Sequence, residues 1–214
     1  MGDLTTEIST KATSRAAALA LGLAAALGAA PAAADICNLQ VFDAMNGRKL
    51  GKADKLFIKE EQFVVCVTAT KAGYVSLWDR IPFDGPVERL GPSPLFEEDK
   101  ARKVAADETV CFGDGQPAPN GARYLLNMAA EDGVGLGRMW MVYSEAIEIH
   151  PDENTFASAD LFERNMTRAF GAGAMEPDPG DAARAEDFET DEGACVAEGS
   201  LDFFYRVERK PGQG

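Results

Sequence analysis

The chain has 214 residues, of which 35 are acidic and 21 are basic, and its formal net charge at pH 7 is −14. An acidic excess of this size repels the phosphate backbone of nucleic acids and anionic lipid headgroups, which excludes both as favoured partners. The single histidine and the lack of any CxxC spacing argue against a zinc site, because zinc needs several nitrogen and sulfur ligands close together.

The first 34 residues have the composition of a secretory signal peptide. Lys11 and Arg15 precede a run of small and aliphatic residues that ends in Pro31-Ala32-Ala33-Ala34. This run is shorter than the roughly 20 residues of a membrane-spanning helix, and no second apolar run follows it. The sequence predicts cleavage near Ala34 and a mature chain, residues 35–214, that forms one domain in the periplasm or outside the cell without inserting into a membrane.

Short apolar segments broken by glycine, proline, asparagine and aspartate follow, a pattern typical of all-β domains. The clearest pair, residues 62–70 and 74–79, is predicted to form a hairpin through the turn Lys71-Ala72-Gly73. Alternate residues of the first strand face the core, and the second strand is apolar on both faces. Strands so short and evenly spaced indicate a β-sandwich or barrel. Further strands are predicted at residues 39–43, 86–90, 109–112, 123–128, 138–143 and 201–207.

One amphipathic helix is predicted at about residues 155–170, where apolar side chains recur every three or four positions. Asn154 or Thr155 is its expected N-cap, and Gly171 is expected to end it. The apolar stripe of this helix is predicted to pack on its own domain.

An acidic loop is predicted at about residues 176–193, where eight carboxylates surround a single arginine, Arg184. Calcium would be the natural metal for such a loop. Its candidate ligands Asp178, Asp181 and Asp187 nevertheless lack the alternating spacing that places successive oxygens around one calcium ion. The sequence therefore assigns no metal to this loop.

All four cysteines, Cys37, Cys66, Cys111 and Cys195, lie in the predicted mature chain. An even number of cysteines in an oxidising compartment predicts two disulfides, for which three pairings are possible. Cys66 and Cys111 both point away from the core side of their strands, so a bond between them is natural if those strands are neighbours. Cys37 and Cys195 would then tie the first mature segment to the approach of the last strand.

Few residues of the chain suggest catalysis. His150 is the only imidazole, and its place before the predicted helix favours a surface or capping role. The motifs of serine hydrolases, zinc proteases and phosphate loops are missing. Trp78 and Trp140 are candidates to line a ligand groove, although tryptophan on a short strand is more often core. The sequence predicts no catalytic residue, no metal and no cofactor, and it leaves any binding residues unassigned.

Several stretches of the chain resemble the family of exported bacterial proteins catalogued as domain of unknown function 4384. The strings FVVCVTA (residues 63–69) and AGYVSLWD (72–79) are similar to that family's first strand, its Gly-Tyr turn and an apolar strand that closes on aspartate. Residues 103–110, 120–128 and 138–143 resemble its later elements. Cys66, Cys111 and the acidic insert depart from the family pattern. The resemblance implies an immunoglobulin-like sandwich, an accessory module of the envelope with no established catalytic residues.

Taken together, the sequence predicts a mainly β protein, an immunoglobulin-like β-sandwich with one appended amphipathic α-helix and an acidic loop. The predicted function is an exported accessory or binding module without catalytic activity, whose partner is another cell-envelope protein. The alternative is an inhibitor or modulator of an extracytoplasmic enzyme. A protruding loop with a rigid apolar tip, around Pro82-Phe83 or Pro94-Leu95-Phe96, would favour that alternative. A hydrolase would instead require His150 and carboxylates to converge in a cleft.

Overall fold

The structure, a computed structural model, describes residues 35–50, 56–57, 62–80, 85–95, 97–115, 124–127, 134–171 and 195–209. The predicted signal peptide, the acidic loop at 176–193 and the Pro82-Phe83 tip lie outside these residues, so those expectations stay predictions. The same holds for Asp178, Asp181 and Asp187.

Within the described residues the chain forms twelve short strands and one α-helix, which confirms the prediction of a mainly β protein with one helix. A 3-10 turn, Ile147–Ile149, follows the ninth strand. In chain order the elements are β1 Ile36–Asp43, β2 Leu56–Phe57, β3 Gln62–Ala69, β4 Gly73–Arg80, β5 Val87–Gly91, β6 Arg102–Val104, β7 Glu108–Phe112, β8 Leu126–Asn127, β9 Gly135–Ser144, β10 Thr155–Phe156, α1 Ala159–Phe170, β11 Cys195–Val196 and β12 Gly199–Glu208.

The strands form two sheets. Sheet A has the order β11-β1-β3-β7, with β8 paired to the start of β3. Sheet B has the order β10-β5-β4-β9-β12-β2, with β6 paired to β4. β12 and β2 run parallel, and the other described pairs are antiparallel.

The predicted hairpin between residues 62–70 and 74–79 is wrong. β3 pairs with strands of sheet A, whereas β4 pairs with strands of sheet B. The turn at Lys71-Ala72 therefore carries the chain from one sheet to the other. The physical reason is burial: inward residues of the two strands, such as Val67 and Leu77, belong to one buried cluster between the sheets. A hairpin would have left both apolar faces in the same layer.

One apolar core lies between the two sheets. Its side chains alternate along each strand with residues that face outward, as the period of a strand requires. Most of its members are fully buried. Sheet A contributes Ile36, Leu39, Val41, Phe63, Val65, Val67, Ala69, Val110, Phe112 and Leu126, and sheet B contributes Val75, Leu77, Val104, Met139, Met141, Tyr143, Leu201, Phe203, Tyr205 and Val207.

A second apolar cluster lies on the outer face of sheet B, beneath α1. Trp78 of β4 and Trp140 of β9 stand directly opposite each other, and both are fully buried. The ring of Phe162 on α1 lies 5.1 Å from the Trp78 ring and 5.0 Å from the Trp140 ring. The predicted amphipathic helix therefore packs on its own domain, and both tryptophans are core residues of that contact.

The helix begins later than the sequence predicted. Thr155 and Phe156 form β10, which pairs with β5, and the N-cap is Ser158, whose hydroxyl accepts from the Leu161 N–H at 3.4 Å. The error arose because Phe156 happens to continue the apolar spacing of α1. Gly171 ends the helix as predicted, with φ of 94° and its N–H donating to the Thr167 carbonyl at 2.9 Å.

The shortest strands were not predicted. β2, β6, β10 and β11 have two or three residues each, too few to show an alternating pattern. Of the strand predicted at 123–128, residues 124–127 are described, and Leu126–Asn127 form β8. The strand predicted at 138–143 begins earlier, at Gly135, as β9. These segments take their conformation from their neighbours in the sheet.

Two disulfides join neighbouring strands of sheet A, Cys66 to Cys111 and Cys37 to Cys195. In both cases the two cysteines stand directly opposite each other, in the pairs β3–β7 and β1–β11. The bonds join the pairs that the sequence reasoning favoured. Two disulfides are typical of proteins that fold in an oxidising, extracytoplasmic compartment.

The Cys66–Cys111 bond should be a major source of stability. It closes a loop with a sequence separation of 45 residues. We expect the double variant Cys66→Ala/Cys111→Ala to lose about 4 kcal/mol of unfolding free energy in urea, from the restored chain entropy of the unfolded state.

Thr68 and Thr109 provide the matched control. They form the neighbouring cross-strand pair of the same two strands, with their hydroxyl oxygens 3.0 Å apart. Thr68→Val/Thr109→Val should cost less than about 1 kcal/mol. Equal losses in the two double variants would contradict the importance given to the disulfide.

Candidate functional site

The candidate site lies where the segment 145–158 and α1 cover the outer face of sheet B. After β9 the chain makes the 3-10 turn Ile147–Ile149, crosses sheet B, and pairs with its edge as β10 before α1 begins. This cover brings the only histidine of the chain against the outer face of β4.

His150 is buried, with 1% of its surface exposed, so the surface position expected from the sequence is wrong. Its backbone does cap the 3-10 turn, because the His150 N–H donates to the Ile147 carbonyl at 3.1 Å. Its Nδ1 lies 2.9 Å from the Ser76 hydroxyl oxygen, and its Nε2 lies 3.2 Å from the Tyr74 carbonyl oxygen. Because a carbonyl only accepts, the hydrogen-bond network assigns the proton to Nε2, and Nδ1 accepts from Ser76. The Ser76 oxygen in turn accepts from Trp78 Nε1 at 2.9 Å. His150 is drawn inward because it satisfies a buried serine.

Burial lowers the pKa of His150 to about 4, against the opposing effect of the hydrogen bond to the Tyr74 carbonyl. The positive charges of Lys100 and Arg89 lower it further. The imidazole is therefore neutral at physiological pH, as the hydrogen bonds to Ser76 and Tyr74 require.

Charged side chains surround this buried group. Lys100 Nζ lies 2.7 Å from Asp152 Oδ1, and that hydrogen bond lowers the pKa of Asp152. Arg89 is 6% exposed, and burial lowers its pKa although Glu97 and Asp152 oppose the shift. Its Nε and Nη1 have no hydrogen-bond partner among the described residues.

A second polar contact fixes α1 on sheet B through Arg138, which is 1% exposed. Arg138 bonds Asp202 of β12 through Nε at 2.7 Å and Nη2 at 2.6 Å, and Glu163 of α1 through Nη1 at 2.7 Å. Its guanidinium lies 4.9 Å from the ring centroid of Trp140 and 5.0 Å from that of Phe204. One arginine thus joins β9, β12 and the helix.

An open depression of about 480 Å³ lies between residues 148–153 and the C-terminal half of α1. Glu148, Asp152 and Glu153 line one side, and Asn165 and Arg168 line the other. Side chains of both charges suit a polar or charged group of a partner better than an apolar ligand. The lining residues include neither a serine, nor a threonine, nor a cysteine, so they offer no hydroxyl or thiol nucleophile.

The tip around Pro94-Leu95-Phe96 was the other apolar tip that the sequence singled out, and its Phe96 lies outside the described residues. Leu95 is 84% exposed, whereas Ser93 and Glu97 on either side are buried. The Glu97 N–H donates to the Ser93 carbonyl at 2.8 Å, which closes a tight turn around Leu95. Arg102 supports this turn because it bonds the Glu97 carboxylate at 3.0 Å and the Cys111 carbonyl at 2.9 Å.

Sequence reasoning missed four residues of this region, Ser76, Arg138, Glu163 and Asp202. A usable signal existed for two of them. Ser76 and Arg138 lie on the strands around Trp78 and Trp140, which are buried on both faces. A polar residue in such a strand must find a buried partner. The identity of the partner could not be predicted, because it comes from a segment 74 residues away for Ser76 and 25 residues away for Arg138.

No family model, curated protein or solved structure matches this chain. In the described part of the chain, no helix combines the length and hydrophobicity that crossing a membrane requires. Across the same residues, no group of three or more histidine, cysteine, aspartate and glutamate side chains is placed to hold a metal ion.

The buried His150 predicts a loss of stability on mild acidification. Its folded-state pKa of about 4 lies below the ordinary value of 6.5, so its contribution is complete above pH 6.5 and declines as the pH falls towards 4. Between pH 7.5 and 5.0 the loss should be about 2 kcal/mol, because pH 5.0 lies about 1.5 units below the ordinary pKa. Urea unfolding between pH 7.5 and 5.0 measures it.

His150→Gln is the control for this titration, because no other histidine is present in the chain. The variant should be less stable than the wild type at pH 7.5, and the gap should narrow as the pH falls to 5.0. A gap that stays constant would show that His150 is not the titrating group.

The Arg138 cluster predicts a strong dependence of stability on one side chain. Arg138→Met removes the cation that Asp202 and Glu163 both contact, and it should lower the free energy of unfolding by about 3 kcal/mol. The control is Arg164, which lies exposed on α1 beside Glu163. Among the contacts described, Arg164 bonds only the Asp160 carbonyl of the previous helical turn. Arg164→Met should cost less than about 0.5 kcal/mol. Equal effects of the two substitutions would contradict the role given to Arg138 in holding α1 on sheet B.

Proposed function

We propose that this protein is an exported accessory or binding module of the cell envelope, without catalytic activity, whose partner is another envelope protein. The observation that carries the proposal is the burial of its only imidazole. Ser76 and His150 lie in hydrogen-bond contact as a catalytic pair would, yet Ser76 is 0% exposed and His150 is 1% exposed.

A nucleophile must be reachable by the substrate, and its oxygen must be free to attack. The Ser76 oxygen is enclosed and already accepts a hydrogen bond from the Trp78 indole. The Ser76 and His150 side chains therefore stabilise the fold. What the surface offers instead is the depression beside α1, whose carboxylates and Arg168 suit a polar partner surface.

Export is part of this proposal. The predicted signal peptide at residues 1–34 supports it, and the two disulfides agree with an oxidising compartment. We further propose that the two sheets form an immunoglobulin-like sandwich, as the family resemblance implies. The shared core and the passage of the chain from β3 in one sheet to β4 in the other support this arrangement.

One observation favours the inhibitor alternative. Leu95 is exposed on a turn that the hydrogen bond from the Glu97 N–H to the Ser93 carbonyl closes. A rigid apolar tip loses little conformational freedom when it enters a pocket. Its tight turn, closed from Glu97 to Ser93, is nevertheless unlike the extended strand that a protease binds as substrate. An inhibitor of this kind would block a pocket and would not imitate a peptide substrate.

The test is an affinity capture with the protein purified in its exported, oxidised form and incubated with crosslinked cell-envelope proteins. We expect one stoichiometric partner that a reduced and unfolded control does not retain. Glu153→Lys should weaken the capture if the depression binds the partner, and Leu95→Asp should weaken it if the tip does. Met45→Asp is the matched control, because Met45 is an apolar residue with 78% exposure elsewhere on the surface. Enrichment of no protein over the unfolded control would contradict the proposed function.

A further inference from the structure

The outer face of sheet A, opposite the core, carries both disulfides. Cys66 alternates along β3 with Val65 and Val67, which point into the core. Thr68 lies on the same outer face as Cys66, and Cys37 stands opposite Thr68. The two disulfides therefore lie in adjacent rows of residues that run across the strands.

The first row consists of Cys195, Cys37, Thr68 and Thr109, on β11, β1, β3 and β7 in that order. Cys195 is exposed and occupies the edge strand, so no described strand lies beyond it. Cys37 is 8% exposed, and Thr68 of β3 lies next to it on the side away from Cys195.

The second row consists of Gln40, Cys66 and Cys111, on β1, β3 and β7. Cys66 is 7% exposed, and Gln40 of β1 lies next to it on the side away from Cys111. Cys111 is half-buried, and Arg102 lies beside it along the free edge of β7, where it donates to the Cys111 carbonyl at 2.9 Å. Both cysteines of this disulfide are therefore less exposed than Cys195.

Thiol–disulfide exchange depends on access to one sulfur from one direction. A thiolate attacks a disulfide sulfur in line with the bond, and the other sulfur leaves with the bonding electron pair. A bond between two strands is approached in line from beyond one strand or from beyond the other. Among the described cysteines, Cys195 is the most open to this approach, because it is exposed on an edge strand whereas Cys111, on the opposite edge strand, is half-buried.

We propose that Cys37–Cys195 is a thiol–disulfide exchange site that external thiols enter at Cys195, whereas Cys66–Cys111 is closed to them. The attacking thiolate forms a bond to Cys195 Sγ, the Sγ–Sγ bond breaks, and Cys37 leaves as a thiolate that takes a proton from water. A second thiol group then attacks the mixed disulfide and releases Cys195 as a thiol. The dithiol supplies two electrons and becomes a disulfide, as in protein dithiol oxidoreductases.

This exchange would release a short element and leave both sheets in place. β11 has two residues and pairs only with β1 among the described strands, and the Asp35 N–H bonds the Val196 carbonyl at 2.7 Å. Without the covalent bond, so short a strand has little to hold it. Its release exposes the β1 edge at Ile36–Cys37, to which a partner strand could pair.

The experiment incubates the folded, oxidised protein with reduced glutathione, quenches samples with iodoacetamide and maps each cysteine by mass spectrometry. We expect a glutathione adduct on Cys195, carbamidomethylation of Cys37, and a rate at least about 10-fold higher than at Cys66 or Cys111. Circular dichroism of the same samples should show that the strands persist. An adduct mainly on Cys37, or equal rates at the two disulfides, would overturn the proposal.

Two single variants test the direction of attack without relying on reduction. Cys37→Ser leaves the thiol of Cys195, and Cys195→Ser leaves the thiol of Cys37. Reaction of each folded variant with the aromatic disulfide DTNB should be at least about 10-fold faster for the Cys195 thiol. Similar rates would overturn the assignment of Cys195 as the entry point.

Discussion

Sheet B is apolar on both faces, and the rest of the structure depends on how those faces are covered. The inward residues of β4 and β9 pack against sheet A, whereas Trp78 and Trp140 point the other way. Leaving two indole rings in water would forfeit some of the largest burial gains available to a side chain. The segment 145–158 and α1 cover them, and Phe162 contacts both rings.

Polar side chains decide where that cover lies. Apolar burial has no preferred direction, so it alone would leave the helix free to slide on sheet B. Ser76 and Arg138 remove that freedom, because a buried polar group without a partner costs free energy. His150 forms a hydrogen bond with Ser76, and Glu163 accepts one from Arg138. These two partners lie in the two parts of the cover, the segment 145–158 and α1. Burial of His150 is therefore a consequence of positioning the cover.

The sequence predicted what depends on local pattern. Strand period located β3, β4 and β7, and the spacing of Phe162 and Met166 indicated the helix. It could not predict the partners of those elements, because a turn such as Lys71-Ala72 can join strands within one sheet or between two sheets. The His150 role was missed for a related reason, since its partner Ser76 lies far away in the chain. The predicted strand at 138–143 also began too late, because Gly135 and Gly137 have no side chains that would extend the alternating pattern to the start of β9.

The outer faces of the two sheets are stabilised by different means. Sheet B is covered by a helix, whereas the outer face of sheet A is spanned by disulfides, whose cross-links act on the unfolded chain. The Cys37–Cys195 bond lies where the chain passes from sheet A to sheet B. Two residues after β11, Glu198 accepts hydrogen bonds from the Ser144 hydroxyl and the Glu145 N–H, and β12 then enters sheet B beside β9. β12 is held by its own hydrogen bonds to β9. The segment that depends on the Cys37–Cys195 disulfide is therefore β11, where the chain crosses between the sheets. An exchange site at this position can change one edge of sheet A without opening either core.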